Sequence, residues 1–233
     1  MGATVFSYSM VGYQDAQQTV HTDPLVLSLQ TWNSIRVIDY LIDLPGVDPK
    51  RMGITGASGG GTQTFFLTLV DNRIQVSAPI VIVYPWSSPT DGCLCEGKGS
   101  PIMQPTDTNA IELSAAASPR PQLLISVGND KTRNFSEFGF PFIKQVYERH
   151  NCGKRVENVH FASEGHDFGP SKRREVYRFF ARHLELEPLE ETLQEIEIEA
   201  HEQMAVFEKD HPLPEYAAKG SEQIKEAFER LCG

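Results

Sequence analysis

Residues 52–61 read Met52-Gly53-Ile54-Thr55-Gly56-Ala57-Ser58-Gly59-Gly60-Gly61. A short apolar strand runs into a glycine-rich turn, and a helical pattern comes next, near residues 62–70. Within it, Gly56-Ala57-Ser58-Gly59-Gly60 matches G-x-S-x-G. In a strand–turn–helix context that pattern puts a serine on a sharp turn where only small neighbours fit, with its hydroxyl pushed out at the carboxyl edge of a sheet. The helix after the turn aims its first N–H groups at the same place and favours negative charge there. A bare glycine turn has the same composition, so the flanking elements carry the reading.

Working outward, β-like runs alternate with helical ones. Leu29, Trp32, Ile35, Ile38, Leu41 and Ile42 recur at three and four, which predicts a helix over 25–43 ended by Pro45-Gly46. Strands are expected at Thr4–Tyr8, Met52–Thr55, Val76–Tyr84, Leu123–Val127 and Val156–Phe161, and further helices near 136–150 and 171–184. Near-continuous apolar strands separated by helices predict a parallel sheet covered on both faces. Residues 85–110, rich in Pro, Ser, Gly and Thr, read as a long excursion. After Leu184 the composition changes, and residues 185–208 are dense in glutamate. The spacing of Leu189, Leu193, Ile196 and Ala200 predicts a helix, His211-Pro212-Leu213-Pro214 breaks it, and residues 221–231 suit a short amphipathic helix. The expected organisation is a catalytic α/β domain over 1–186 and an acidic helical appendage over 187–233.

A chain of 233 residues with 40% hydrophobic and 22% charged residues buries a core without disulfides. With 31 acidic against 21 basic residues, the net charge of −10 disfavours a nucleic-acid partner. No run approaches a membrane span, and no secretory signal opens the chain. Localisation stays open. Cys93 and Cys95 are too close in sequence for a relaxed disulfide. As a zinc pair they lack a partner motif, so neither metal nor cofactor is expected.

A serine nucleophile needs a base. Of seven histidines, His166 lies in the loop Glu164-Gly165-His166-Asp167-Phe168-Gly169, just after the last strand. His160 falls inside that strand, where packing is expected, and His150 and His183 fall near helix ends. Asp130 comes after Leu123–Val127 through Gly128-Asn129 and emerges at the same sheet edge, as a carboxylate that orients the base must. The order Ser58, Asp130, His166 is that of the α/β-hydrolases. Glu96 is the alternative acid; Asp167, adjacent to the histidine, would have to fold back. The Gly59 N–H is expected as one oxyanion donor, and the loop that normally supplies the second is not found.

The stretch Trp32–Gly61, WNSIRVIDYLIDLPGVDPKRMGITGASGGG, with SVGNDKT, EGHDFGPSKR and VYRFFARHL, resembles the α/β-hydrolases known as acetyl xylan esterases and their prolyl-oligopeptidase-type relatives. Gly92–Glu96 is similar to a cysteine-containing loop of a bacterial subgroup, and Tyr8–Tyr13 to the loop after the fourth strand. The resemblance covers about residues 1–186. It implies Ser58 as nucleophile, Asp130 as acid and His166 as base, acting on a carbohydrate ester such as acetylated xylan. A serine peptidase and a catalytically incomplete hydrolase are the alternatives. Family members are often exported. Counted against the family, the chain starts near the fourth strand, which implies a fragment or a gene model begun at an internal methionine. Trp86, Tyr84 and the 85–110 excursion are candidates for a substrate wall.

Overall fold

The computed structural model describes residues 1–85, 108–188 and 198–232. Four parallel strands form one sheet in the order β1 (Gly53–Ala57), β2 (Val76–Ile80), β3 (Gln122–Val127) and β4 (Val156–Phe161). The register pairs Ala57 with Ile80, Ile80 with Ile125, and Val127 with Phe161, so the carboxyl ends of the strands share one edge.

Side chains alternate across each strand, which divides the core in two. Val76, Ala78 and Ile80 of β2, with Leu123, Ile125 and Val127 of β3, pack on Val176, Phe179 and Leu184 of α5 (Pro170–Leu184). On the opposite face Leu124 packs with Phe65 and Phe66 of α2 (Gly59–Val70). Ile143 and Tyr147 of α4 (Phe135–Arg149) complete that layer. α1 (Val26–Asp43) lies outside α2, sealed by Ile38, Met52, Leu67 and Ile74. The short α3 (Ala110–Ala115) opens with Asn109, whose side chain accepts from the Ile111 and Glu112 amides, an ordinary N-cap. The sheet thus has the double cover that its apolar strands require.

Two expected strands change. Thr4–Tyr8 is not a strand: among the described residues no strand borders the outer edge of β1, and a β-like run without a neighbour has no ladder to join. It lies along α1 instead, where Phe6 meets the Tyr40 ring edge-on at 5.6 Å and Tyr8 Oη hydrogen-bonds Ser34 Oγ at 2.6 Å. The Val76–Tyr84 run leaves the sheet at Ile80, because Val81 turns the chain with φ +51°. Its apolar character reflects burial of residues 81–84 in the core, beyond the ladder.

The expected helix through residue 200 falls mostly on 189–197, outside the described residues. Beyond it come α6 (His201–Met204) and α7 (Gly220–Cys232). α7 docks on the stretch before α1: Gly220 N–H donates to the Gln18 carbonyl at 2.7 Å, Ser221 Oγ meets Asp23, and Ile224 is buried.

Candidate active site

Ser58 joins β1 to α2 with φ +55° and ψ −121°. A non-glycine residue held there stores about 1–3 kcal/mol of strain, so its surroundings must impose the geometry. They do. The Ser58 amide donates to the Ile80 carbonyl at 3.1 Å and its carbonyl accepts from the Thr62 amide at 2.9 Å, which ties the turn to β2 and α2 at once. A Cβ on Gly56 would lie 2.5 Å from the Gly60 carbonyl. A Cβ on Gly61 would lie 2.6 Å from Ile82 Cγ2 and 3.0 Å from the Ile80 carbonyl oxygen, whereas one on Gly60 would meet nothing within 4 Å. The motif's last glycine is therefore not the position that packing demands. Gly61, one residue later, is where the helix crosses the end of β2. α2 begins at Gly59, earlier than the hydrophobic pattern implies, so the Gly59 amide stands in the first turn, which has no carbonyl four residues back within the helix.

Asp130 and His166 meet at this same sheet edge. His166 Nδ1 lies 2.9 Å from Asp130 Oδ2. The carboxylate side chain is 8% exposed and the imidazole 46%. The other carboxylate oxygen, Oδ1, accepts from both the amide and the hydroxyl of Thr132, each at 2.6 Å. Thr132 is buried, and its Oγ1 also accepts from the Val127 amide at 3.0 Å, so the Asp130 carboxylate is fixed to the end of β3. The post-strand loops are joined by backbone: Gly128 N–H donates to the Phe161 carbonyl at 3.0 Å and Asn129 N–H to the Glu164 carbonyl at 3.1 Å.

The loop carrying His166 has its own anchor. Lys172, in the first turn of α5, is fully buried, and its Nζ lies 2.8 Å from both Glu164 Oε2 and Asp167 Oδ1. Burial opposes the ammonium charge, but hydrogen bonds to Asp167 and Glu164 outweigh it and raise the lysine pKa. The same hydrogen bonds hold both carboxyls below their usual range, with help from Ser171 Oγ at Glu164 and the Gly169 amide at Asp167. Asp167, the neighbour of the histidine, is thus engaged by Lys172. Sequence reasoning passed over Lys172, because a lysine in the basic run Ser171–Arg174 reads as solvated. It passed over Thr132 too, although Asp-x-Thr is a turn pattern in which the carboxylate caps an amide two residues on.

The remaining histidines play other parts. His160 Nδ1 hydrogen-bonds Ser126 Oγ at 2.9 Å inside the sheet, and His150 Nδ1 meets Ser118 Oγ at 2.8 Å. Burial first, then Arg182, lowers the pKa of His183, against the sense of the helix dipole. Tyr84 is buried beneath Lys131, whose Nζ lies 5.4 Å from the ring centroid. Glu96, Cys93, Cys95 and Trp86 lie outside the described residues. Among the described residues no group of three or more His, Cys, Asp or Glu is placed to hold a metal, and no helix is long and apolar enough to cross a membrane.

A parallel sheet covered on both faces, a serine on a strained strand-to-helix turn, and an Asp–His pair at the same edge define the α/β-hydrolase fold. The chain has that fold, and solved structures agree. It is 34% identical to methylesterase BT1017 with a TM-score of 0.83, over 97% of this chain and 53% of that one. A carbohydrate esterase family 15 glucuronoyl esterase from Caldicellulosiruptor kristjansonii gives 19% identity and a TM-score of 0.56, over 70% of this chain and 51% of that one. The glucuronoyl esterase catalytic domain from Hypocrea jecorina gives 17% and 0.56, over 68% and 52%. These neighbours are esterases, and the chain spans about half the length of each. No protein-family model and no curated protein matches the chain.

Proposed function

We propose that this chain is a serine hydrolase of carboxylic esters, with Ser58 as nucleophile, His166 as base and Asp130 as its orienting carboxylate. Ser58 Oγ attacks the ester carbonyl carbon while its proton passes to His166 Nε2, the ring nitrogen that Asp130 does not engage. The Gly59 N–H donates to the oxyanion. Collapse of the tetrahedral intermediate breaks the C–O bond, and the imidazolium returns its proton to the departing alcohol. Water, deprotonated by His166, then attacks the acyl-enzyme and releases the acid and Ser58. The observation that carries this reading is the 2.9 Å Asp130–His166 contact, on the edge where Ser58 adopts the strained turn.

An ester fits better than a peptide, because the neighbour at 34% identity is a methylesterase. The substrate class is an ester on a carbohydrate. The sequence resemblance favours an acetyl group on a sugar hydroxyl, and the neighbours favour an ester of a sugar acid. The test is hydrolysis of p-nitrophenyl acetate, an acetylated xylo-oligosaccharide and a uronic acid methyl ester, by wild type and Ser58→Ala. Turnover of any of them by wild type alone supports the reading, and the preferred one names the acyl side. A folded wild type that hydrolyses none of them identifies an incomplete catalyst. Cleavage of a prolyl amide in preference to all three esters would make it a peptidase.

A further inference from the structure

His166 sits between two carboxylates that one buried ammonium holds together. Lys172 Nζ is 2.8 Å from Glu164 Oε2 and 2.8 Å from Asp167 Oδ1, with a fully buried side chain. Glu164 is further tied by Ser171 Oγ at 2.6 Å, and Asp167 Oδ1 accepts the Gly169 amide at 2.6 Å. Backbone bonds secure Glu164, and between the anchors the loop is held by the Asp167 N–H to the Gly165 carbonyl at 3.1 Å and by the His166–Asp130 contact. A Cβ on Gly165 would meet nothing within 4 Å, and the His166 side chain is 46% exposed, so packing does not fix the ring. A glycine in open space leaves its backbone free to turn. The ammonium also separates two carboxylates that would otherwise repel each other.

Resting on the triad reading above, we propose that Lys172 is a positioning residue for His166: by binding Glu164 and Asp167 together it fixes both ends of the loop and holds the imidazole against Asp130. It touches no substrate and transfers no proton. Its effect is geometric, and misplacing a base by about 1 Å costs about 10²-fold in rate.

The test is the rate at which a fluorophosphonate probe labels Ser58 in the purified chain, mapped by mass spectrometry. In that reaction the Ser58 Oγ–P bond forms, the P–F bond breaks, fluoride leaves, and the hydroxyl proton passes to His166. No knowledge of the natural ester is required. Lys172→Met is expected to label about 10²-fold slower than wild type, and Lys172→Arg, which keeps the charge, to recover most of the rate. In a His166→Ala background Lys172→Met is expected to change the rate less than about 2-fold, because residues that act as a unit are not additive. Lys172→Met at the wild-type rate overturns the positioning role alone. So does an equal further loss in the His166→Ala background, which marks a general structural effect. If Lys172→Met does not unfold cooperatively, Asp167→Ala replaces it: the Asp167 side chain is 56% exposed, and alanine, unlike asparagine, leaves Lys172 no acceptor there. It is then expected to label about 10-fold slower, again only when His166 is present. A folded wild type that fails to label at Ser58 overturns the triad and the positioning role with it.

Discussion

Gly128 lies so close to Ala162 that a Cβ built on it would stand 1.9 Å from the Ala162 carbonyl oxygen. This contact closes the turn after β3 onto the turn after β4, and those two turns deliver Asp130 and His166 to one place. Gly128→Ala must force them apart. Overpacking of this kind costs about 1–3 kcal/mol. For a domain of this size that lowers Tm by roughly 2–12 °C. The expected result is a lower melting temperature by calorimetry together with loss of most Ser58-dependent ester hydrolysis. An alanine variant that melts and turns over like wild type would mean the turns do not need this contact.

Thr132 ties the Asp130 carboxylate to β3 through one hydroxyl, which donates to Asp130 Oδ1 and accepts from Val127 N–H. Thr132→Val keeps the shape and removes both bonds, and it strands a buried amide. A hydrogen bond to a charged group is worth about 1.5–3 kcal/mol, so kcat is expected to fall about 10- to 100-fold. KM should stay within about 2-fold, because the hydroxyl acts through Asp130 on the base and not on ground-state substrate binding. Thr132→Ser should retain most of the activity. Steady-state kinetics on one aryl ester decides it, and equal kcat for valine and threonine would refute the orienting role.

The Lys172 cluster predicts a pH dependence of stability. Glu164 and Asp167 have lowered pKa values in the folded protein, caused first by their hydrogen bonds to Lys172. Their contribution is therefore complete above the ordinary values of 4.5 and 3.8, and is lost as pH falls through the lower folded values. Lys172 is raised, so its contribution is complete below 10.5 and is lost as pH rises through the higher folded value. Urea unfolding from about pH 7 to about pH 3 should show wild type losing more stability than Lys172→Met, since the variant lacks the linkage. Parallel curves would contradict it.

Adjacent glycines of the elbow should respond in opposite ways. Gly61→Ala brings a Cβ within 2.6 Å of Ile82 and 3.0 Å of two backbone oxygens, so it should destabilise by about 1–3 kcal/mol. Gly60→Ala meets nothing within 4 Å and sits in a helix, where alanine gains up to about 1 kcal/mol over glycine. Thermal melts of the two variants side by side should move in opposite directions. A shift of the same sign in both would show that the turn is held differently.

Much of this arrangement is legible in the chain. The spacing of Leu29, Trp32, Ile35 and Ile38 marks α1, and β1, the elbow and α2 succeed one another without a break. Asp130 and His166 each come after a strand, so a parallel sheet alone brings both to its carboxyl edge, where they are in contact. Thr4–Tyr8 shows the limit of such reading. Its residues suit a strand, yet they lie against α1, because a strand is a property of two segments and no described strand stands beside it.

The features that the sequence determined by itself are therefore local or periodic: the helices α1, α2, α4, α5 and α7, the buried runs of β2 and β3, where the sharp turn falls, and the order Ser58, Asp130, His166 along the chain. These depend on neighbours in the chain. The features that only the tertiary structure decided depend on residues distant in sequence. Lys172 is buried because two carboxylates of the preceding loop fold back onto it, in a run whose composition points to solvent. Gly128 is required because the Ala162 backbone occupies the space a side chain would need, and Gly61 because Ile82 lies beneath it. Close approach and charge pairing act through space, and they become visible only once the chain has folded.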